Sequence, residues 1–230
     1  MDSKQSSSKI KVGILFIFIL TTLNSYAQNQ IGLLPQINAD FKIGQDWKVN
    51  SKLEGRQIFF KNPFPDGEKE SEFERMDLEL VATRSLNTGS IGGGYLIRRQ
   101  DGKFLHRTIQ QYSITQKFVA LRLSHRFRTD QTFESDEPTK FRLRYRISLE
   151  KPLNGQEIDP KEFYLKFNNE YFGSLESSKG NLEIRGLASL GYNISDKNKF
   201  EVGADYRAED LINSVVTHKL FLNIGWYHSF

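Results

Sequence analysis

Hydrophobic and polar residues alternate along most of this chain with a period of two. In residues 141–150, Phe141 and Leu143 fall on one face of the segment, while Arg142 and Arg144 fall on the other. Side chains of a β-strand point alternately to opposite faces, whereas those of a helix repeat about every 3.6 residues. The pattern therefore predicts strands rather than helices.

Short clusters of Gly, Asn, Asp and Pro divide this pattern into eleven predicted strands. They lie near residues 33–43, 47–60, 73–86, 90–99, 105–117, 119–133, 140–150, 162–172, 181–194, 199–207 and 216–230. Most reach the roughly 9 to 11 residues with which a tilted strand crosses a bilayer, and soluble sheets commonly use about five or six. The predicted fold class is all-β, a single up-and-down antiparallel transmembrane β-barrel.

The number of strands conflicts with the even numbers of single-chain bacterial barrels, because an odd number would pair the first and last strands in parallel. Two explanations would remove the conflict. Either Gln30–Leu34 forms a short extra strand that turns at Pro35, or the segment 33–43 lies outside the closed wall. We therefore predict 10 to 12 strands and favour 12.

The N-terminus has the three parts of an export signal. They are the basic residues Lys4, Lys9 and Lys11, the apolar run Val12–Leu20 and the small-residue site Ser25–Ala27. The apolar run is far shorter than the roughly 20 residues of a membrane-spanning helix. We expect cleavage between Ala27 and Gln28, which divides the chain into a signal peptide, 1–27, and a barrel, 28–230.

The composition excludes several classes of function. Because the chain has no cysteine, it can form neither disulfides nor thiolate metal sites. The formal net charge is +4, and residues 1–27 contribute three lysines and one aspartate, so +2 remains for the barrel. That charge is too small to indicate a nucleic-acid partner. The histidines His106, His218 and His228 are isolated in the sequence, so no metal site and no cofactor is predicted.

Alternation alone does not distinguish a membrane barrel from a soluble one, because the two place apolar residues on opposite sides of the wall. The last strand favours the membrane. Leu222, Ile224, Trp226 and Phe230 share one face, and an aromatic residue at a free carboxylate gives a soluble protein no advantage. This looks like the C-terminal signal that directs insertion into the outer membrane of a Gram-negative bacterium by the barrel-assembly machinery. A soluble periplasmic ligand-binding barrel stays an alternative.

The connections between strands indicate an orientation. Such barrels usually keep both chain ends and the short turns in the periplasm and have longer loops outside. We assign the tight connections 44–46, 86–89, 117–118 and 195–198, with the longer 152–161, to the periplasm. The segments 61–72, 100–104, 134–139, 173–180 and 208–215 are then outside.

The face opposite the apolar one carries a dense ionic set rich in arginine. It comprises Lys52, Glu54, Arg56, Arg75, Asp77, Glu79, Arg107, Arg122, Arg126, Arg128, Arg142, Arg144, Arg146, Lys166, Glu170, Glu183, Arg185, Glu201, Asp205 and Arg207. Side chains largely fill the interior of a small barrel, so we predict a salt-bridged plug. An anion-selective small pore is the alternative, because arginines on adjacent strands need an acidic or anionic partner.

No catalytic residues are predicted, and we expect a non-enzymatic protein. Ser124 beside His125 is the nearest pair of nucleophile and base, but adjacent residues of a strand point to opposite faces. A lipid-modifying barrel enzyme with a site built across strands is a further alternative. Residues 92–94, three glycines within a strand pattern, predict a bend or a bulge rather than a phosphate-binding loop.

Several motifs resemble one protein family over nearly all of the chain after residue 27. They are Trp47-Lys48-Val49 with Glu54-x-Arg56, His106-Arg107-x-Ile109-Gln110-Gln111, His125-Arg126-Phe127-Arg128-Thr129-Asp130-Gln131-Thr132-Phe133, and Arg142-x-Arg144-Tyr145-Arg146. The family is domain-of-unknown-function family 2490. The resemblance implies an outer-membrane barrel and implies no reaction.

Overall fold

The computed structural model of the chain describes residues 28–62, 68–135, 137–213 and 215–230. These residues form an all-β closed barrel of eleven strands. The strands are β1 Gln28–Ile43, β2 Trp47–Lys61, β3 Glu68–Leu86, β4 Gly89–Gln100, β5 Lys103–Phe118, β6 Leu121–Phe133, β7 Lys140–Pro152, β8 Glu162–Glu176, β9 Lys179–Ser195, β10 Asn198–Glu209 and β11 Thr217–Ser229. The predicted signal peptide, including Ala27, lies outside the described residues. No helix among the described residues is long and apolar enough to cross a membrane.

The barrel is closed by a parallel pair, β1 with β11, and every other pair of neighbouring strands is antiparallel. Eleven strands lie within the predicted range, but the preference for twelve is wrong. Both explanations for the odd number are also wrong, because residues 28–43 form one continuous strand of the wall. Pro35 has no N–H to donate. It interrupts only the pairing with β2 and stays in register with Ile224 on β11.

The odd number places the two chain ends at opposite rims, because each antiparallel strand reverses the direction of the chain. Phe230 lies at the rim that also holds the turn 44–46, which we call the C-terminal rim. Gln28 lies in register with Thr217 at the other end, the N-terminal rim. The expectation that both chain ends share one rim is therefore wrong.

The connections differ from the prediction at the N-terminal rim. Two of the five segments assigned there as longer loops, 100–104 and 173–180, are two-residue turns at Asp101–Gly102 and Ser177–Ser178. Both residues of each turn have positive φ, the conformation in which a two-residue turn matches the twist of the flanking strands. At the C-terminal rim the connections 87–88, 119–120 and 196–197 are short and 153–161 is longer.

The two faces of the wall have opposite polarity. Outward-facing Leu143 is 63% exposed, whereas inward-facing Asp130 is fully buried. The inward face also holds two small apolar clusters, Leu34 with Ile58 and Phe221, and Val81 with Leu96 and Ile109.

The glycines 92–94 form no bulge, because β4 pairs with both neighbours without a shift in register. Instead they allow a close approach of β4 to β3. A Cβ atom at Gly94 would lie 2.5 Å from the carbonyl oxygen of Leu80.

Candidate functional site

The barrel encloses a central cavity of about 770 Å³, and charged side chains line most of it. Eighteen of the twenty residues in the predicted ionic set line this cavity. The other two are Arg122, which pairs with Glu150 at 3.6 Å and is half exposed, and the buried Glu201. The cavity with its ionic lining is the candidate functional site.

Asp130 is the centre of the largest ionic cluster. It lies on β6 directly across from Arg142 on β7, and alternation brings Arg128 and Arg144 to the same inward face. Its carboxylate accepts hydrogen bonds from Arg128 at 2.8 Å, Arg142 at 3.1 Å and Arg144 at 3.4 Å. One buried carboxylate therefore holds three guanidinium groups from two strands.

Ion pairs to two further carboxylates, Glu79 and Glu170, extend this cluster to β3 and β8. Arg128 donates twice to Glu79 on β3, at 3.0 and 2.6 Å, although β4 and β5 separate their strands in the wall. Glu170 on β8 accepts from Arg126 at 3.2 Å and from Arg144 at 3.0 Å. Arg144 and Glu170 lie on neighbouring strands, whereas Arg126 and Glu170 lie on strands separated by β7. The cluster therefore joins β3, β6, β7 and β8 through buried ion pairs.

Other members of the predicted set form ion pairs outside this cluster. Arg56 contacts Glu74 at 3.2 Å and Arg207 contacts Asp205 at 2.7 Å. The remaining pairs are Lys52 with Glu54 at 2.5 Å, Arg75 with Asp77 at 3.9 Å, Lys166 with Glu201 at 2.9 Å, and Arg185 with Glu183.

Two inward phenylalanines lie between arginines. The guanidinium carbons of Arg56 and Arg207 are 5.0 and 5.2 Å from the ring centre of Phe221. Those of Arg144 and Arg185 are 4.4 and 4.0 Å from the ring centre of Phe172. A cation within about 6 Å of a ring face is attracted to it, so these rings add to the carboxylate partners that the four arginines already have.

Arginines outnumber carboxylates around Asp130. Six arginines lie here, at positions 107, 126, 128, 142, 144 and 146, but the cluster has three carboxylates, those of Glu79, Asp130 and Glu170. Arginines 126, 128, 142 and 144 lie within 4.0 Å of at least one of them. Neither Arg107 nor Arg146 forms an ion pair with any carboxylate in the described part of the chain. Arg107 instead donates to the hydroxyl of Thr132, at 2.8 Å. The wall of β5 to β7 therefore has a local surplus of positive charge.

The predicted ionic set does not include several residues of this network. Asp130 is one of them, although it follows Arg126 and Arg128 at the spacing of two that places all three on one face. Arg98, which donates to both carboxylate oxygens of Asp77 at 2.7 and 2.6 Å, and Glu74, which accepts from Arg56 at 3.2 Å, are others. Tyr164, which donates to Glu201 at 2.7 Å, is also absent from the set.

The residues considered for catalysis do not meet. Ser124 points inward and bonds with Thr115 at 3.0 Å, whereas His125 points outward and bonds with Tyr145 at 2.8 Å. His106 and His218 also lie on the outer face, each bonded to a tyrosine hydroxyl. Among the described residues, no group of three or more His, Asp and Glu side chains could hold a metal ion.

The predicted C-terminal signal lies on the outer face. Leu222, Trp226 and Phe230 are 45 to 61% exposed on this side. The ring of Phe230 stacks on Phe41 of β1 at 4.6 Å, and its backbone N–H donates to the carbonyl of Asp40 at 2.9 Å. Ile224 lies on the same face, opposite Pro35.

These features define a class of protein: a closed β-barrel with an apolar outer face and buried arginine–carboxylate salt bridges. Within that class the chain belongs to a family of proteins of unknown function, DUF2490, whose family model matches residues 31–216. No curated protein and no solved structure matches the chain.

Proposed function

We propose that this chain is an outer-membrane β-barrel protein of a Gram-negative bacterium, without enzymatic activity. The observation that carries the proposal is the inverted polarity of the wall. Large apolar side chains such as Leu143, Phe141 and Phe73 are more than half exposed on the outside. Inside, charged side chains such as Asp130 and Arg128 are buried. Such an apolar outer face is stable when lipid surrounds it.

The polarity argues against the soluble periplasmic barrel. A soluble barrel places its apolar residues inside, where burial of each large side chain contributes roughly 1.5–3 kcal/mol. Here that contribution would be lost for the many exposed apolar residues of the outer face. Export by a cleaved signal peptide and insertion by the barrel-assembly machinery complete the proposal.

Single cysteines test the inside and outside assignment, because the chain has no cysteine of its own. Leu190→Cys should resist water-soluble thiol reagents in membranes and be quenched by lipid-attached probes. Ser189→Cys, on the adjacent inward-facing position, is the matched control and should escape lipid quenching. Lipid quenching at 189 rather than 190, or recovery of the folded protein in the soluble fraction, would overturn the proposal.

Binding of a small anion in the lumen is a second candidate function, and the surplus of arginine around Asp130 favours it. Inorganic phosphate should raise the unfolding temperature of the folded protein above its value in chloride of equal ionic strength. The rise should disappear in Arg146→Gln and persist in Lys103→Gln, which changes an exposed lysine at the N-terminal rim. An equal rise in both variants would refute a lumen site.

A further inference from the structure

Four polar side chains interrupt the apolar outer face on β5 and β6: Thr108, Gln110, Thr129 and Gln131, which we call the outer polar patch. The amides of Gln110 and Gln131 donate to each other's carbonyl oxygens at 3.1 Å. The same two oxygens accept from the threonine hydroxyls, Thr108 to Gln131 at 2.6 Å and Thr129 to Gln110 at 2.8 Å. The patch is therefore an ordered group of hydrogen-bonded side chains.

Exposed apolar or aromatic residues on β4, β6 and β7 border the outer polar patch, and along β5 the exposed His106 adjoins it. In the strand register, Thr129 lies across from Leu143 and Gln131 across from Phe141 on β7, while Thr108 lies across from Tyr95 on β4. Along β6 the patch lies between Phe127 and Phe133. These five residues are 43 to 63% exposed. The patch thus lies within the apolar face rather than in the polar zone of a rim.

The hydrogen bonds within the patch leave part of its capacity unused. Each glutamine amide has two N–H groups and uses one, and each threonine oxygen donates but accepts nothing from the described residues. Unpaired polar groups are costly in hydrocarbon, which offers no partners.

A groove of about 610 Å³ adjoins the patch on the outer surface. Thr129 and Gln131 form one side of it, and Leu143, Gly173, Gly180 and Ile212 are among the residues that line the rest. Glycines on β8 and β9 leave the wall recessed where other strands present large side chains. The polar patch and the groove form one continuous surface with both hydrogen-bonding groups and a depression.

We propose that this surface is the contact through which two copies of the chain associate in the membrane. A two-fold axis places one patch against another, so the spare N–H groups of Gln110 and Gln131 in one copy meet the threonine oxygens of the second. Donors and acceptors match in number, two of each. Hydrogen bonds between polar side chains join membrane segments in this way. A lipid acyl chain could fill the groove, but it would leave these N–H groups unpaired.

The inference rests on the proposed membrane location, because water would satisfy the patch in a soluble protein. Its test is cross-linking of Phe127→Cys, which borders the patch and forms none of its hydrogen bonds, with a short bis-maleimide in isolated outer membranes. Ala204→Cys, on the outer face of β10 at the opposite side of the barrel, is the matched control. We expect at least ten times more product of twice the chain's mass from position 127 than from position 204.

A second variant shows whether the polar groups cause the association. Replacing Gln110 and Gln131 with leucine in the Phe127→Cys background removes the spare N–H groups and leaves an outer surface suited to lipid, so the folded barrel should persist while the cross-linked product falls at least tenfold. Equal cross-linking at positions 127 and 204, unchanged cross-linking in the leucine variant, or an adduct of another mass would overturn the dimer. The membrane location has its own test. If the protein without substitutions is absent from the outer-membrane fraction, the proposed location is wrong, whatever the cross-linking result.

Discussion

Replacement of Asp130 by asparagine removes the charge at the centre of the lumen with almost no change in side-chain shape. In the native protein this carboxylate accepts from Arg128, Arg142 and Arg144 at 2.8 to 3.4 Å and is fully buried. After the change, the six arginines of the cluster share two carboxylates instead of three. The remaining positive charges then repel one another without their central partner.

Removal of one partner from a buried ion pair typically costs about 3–5 kcal/mol. Water in the cavity weakens the electrostatic interaction, so we expect the lower end of this range, about 3 kcal/mol. With a urea dependence of roughly 1–3 kcal/mol per molar, the unfolding midpoint should fall by about 1–3 M. Equilibrium unfolding in lipid vesicles, followed by tryptophan fluorescence and by heat-modifiable migration on gels, measures the shift.

The control is Glu176→Gln. Glu176 pairs with Lys140 at 3.1 Å, but more than a third of each side chain is exposed, and exposed pairs contribute less than about 1 kcal/mol. Equal destabilisation by Asp130→Asn and Glu176→Gln would refute the reasoning.

A double variant separates loss of charge balance from loss of hydrogen bonds. Adding Arg142→Gln to Asp130→Asn removes one surplus positive charge next to the altered residue, so it should restore at least about 1 kcal/mol of stability. Further destabilisation of the double variant would show that charge surplus is not the cause.

Three further outcomes are expected. Leu143→Arg should lower the free energy of unfolding in vesicles by roughly 2–4 kcal/mol, because it places a charge on the lipid face, and no loss would contradict that position. Deletion of Phe230 removes its stack on Phe41 and should reduce folded protein in the outer membrane; unchanged heat-modifiable migration would count against this role. Mass spectrometry of the mature protein should find Gln28 at its N-terminus, and a chain that retains Met1 in membrane fractions would contradict processing.

The strands could be predicted from sequence because alternation is a local property. All eleven were located, and the same alternation separates arginines from apolar residues in β7. The same alternation also predicts that Asp130 points inward, since it follows Arg128 by two positions. It makes no such prediction for Arg98, because that residue adjoins Arg99 and follows the glycines 92–94, so the sequence does not show which of the two arginines points inward.

The contacts across the lumen could not be predicted, because they depend on the number of strands and on how the wall closes. Arg128 reaches Glu79 past the two strands, β4 and β5, that separate β6 from β3, and no local pattern encodes that distance. The alternation pattern does contain the odd number, as eleven predicted strands. The expectation of an even number comes from the rarity of a parallel closing pair in such barrels.

The closing pair differs from the other ten because no turn sets its register. Parallel pairing is also slightly less stable per residue than antiparallel pairing, so side chains must help to fix it. From inside, the amide of Gln36 donates to Asn223 at 3.1 Å and to Tyr227 at 3.0 Å. At the C-terminal rim, Phe230 stacks on Phe41 on the outside. A shift of one residue would break both contacts, since it would exchange the inward and outward faces. The last residue therefore belongs to the contact that closes the barrel, which gives the terminal phenylalanine a structural role in addition to its predicted role in recognition.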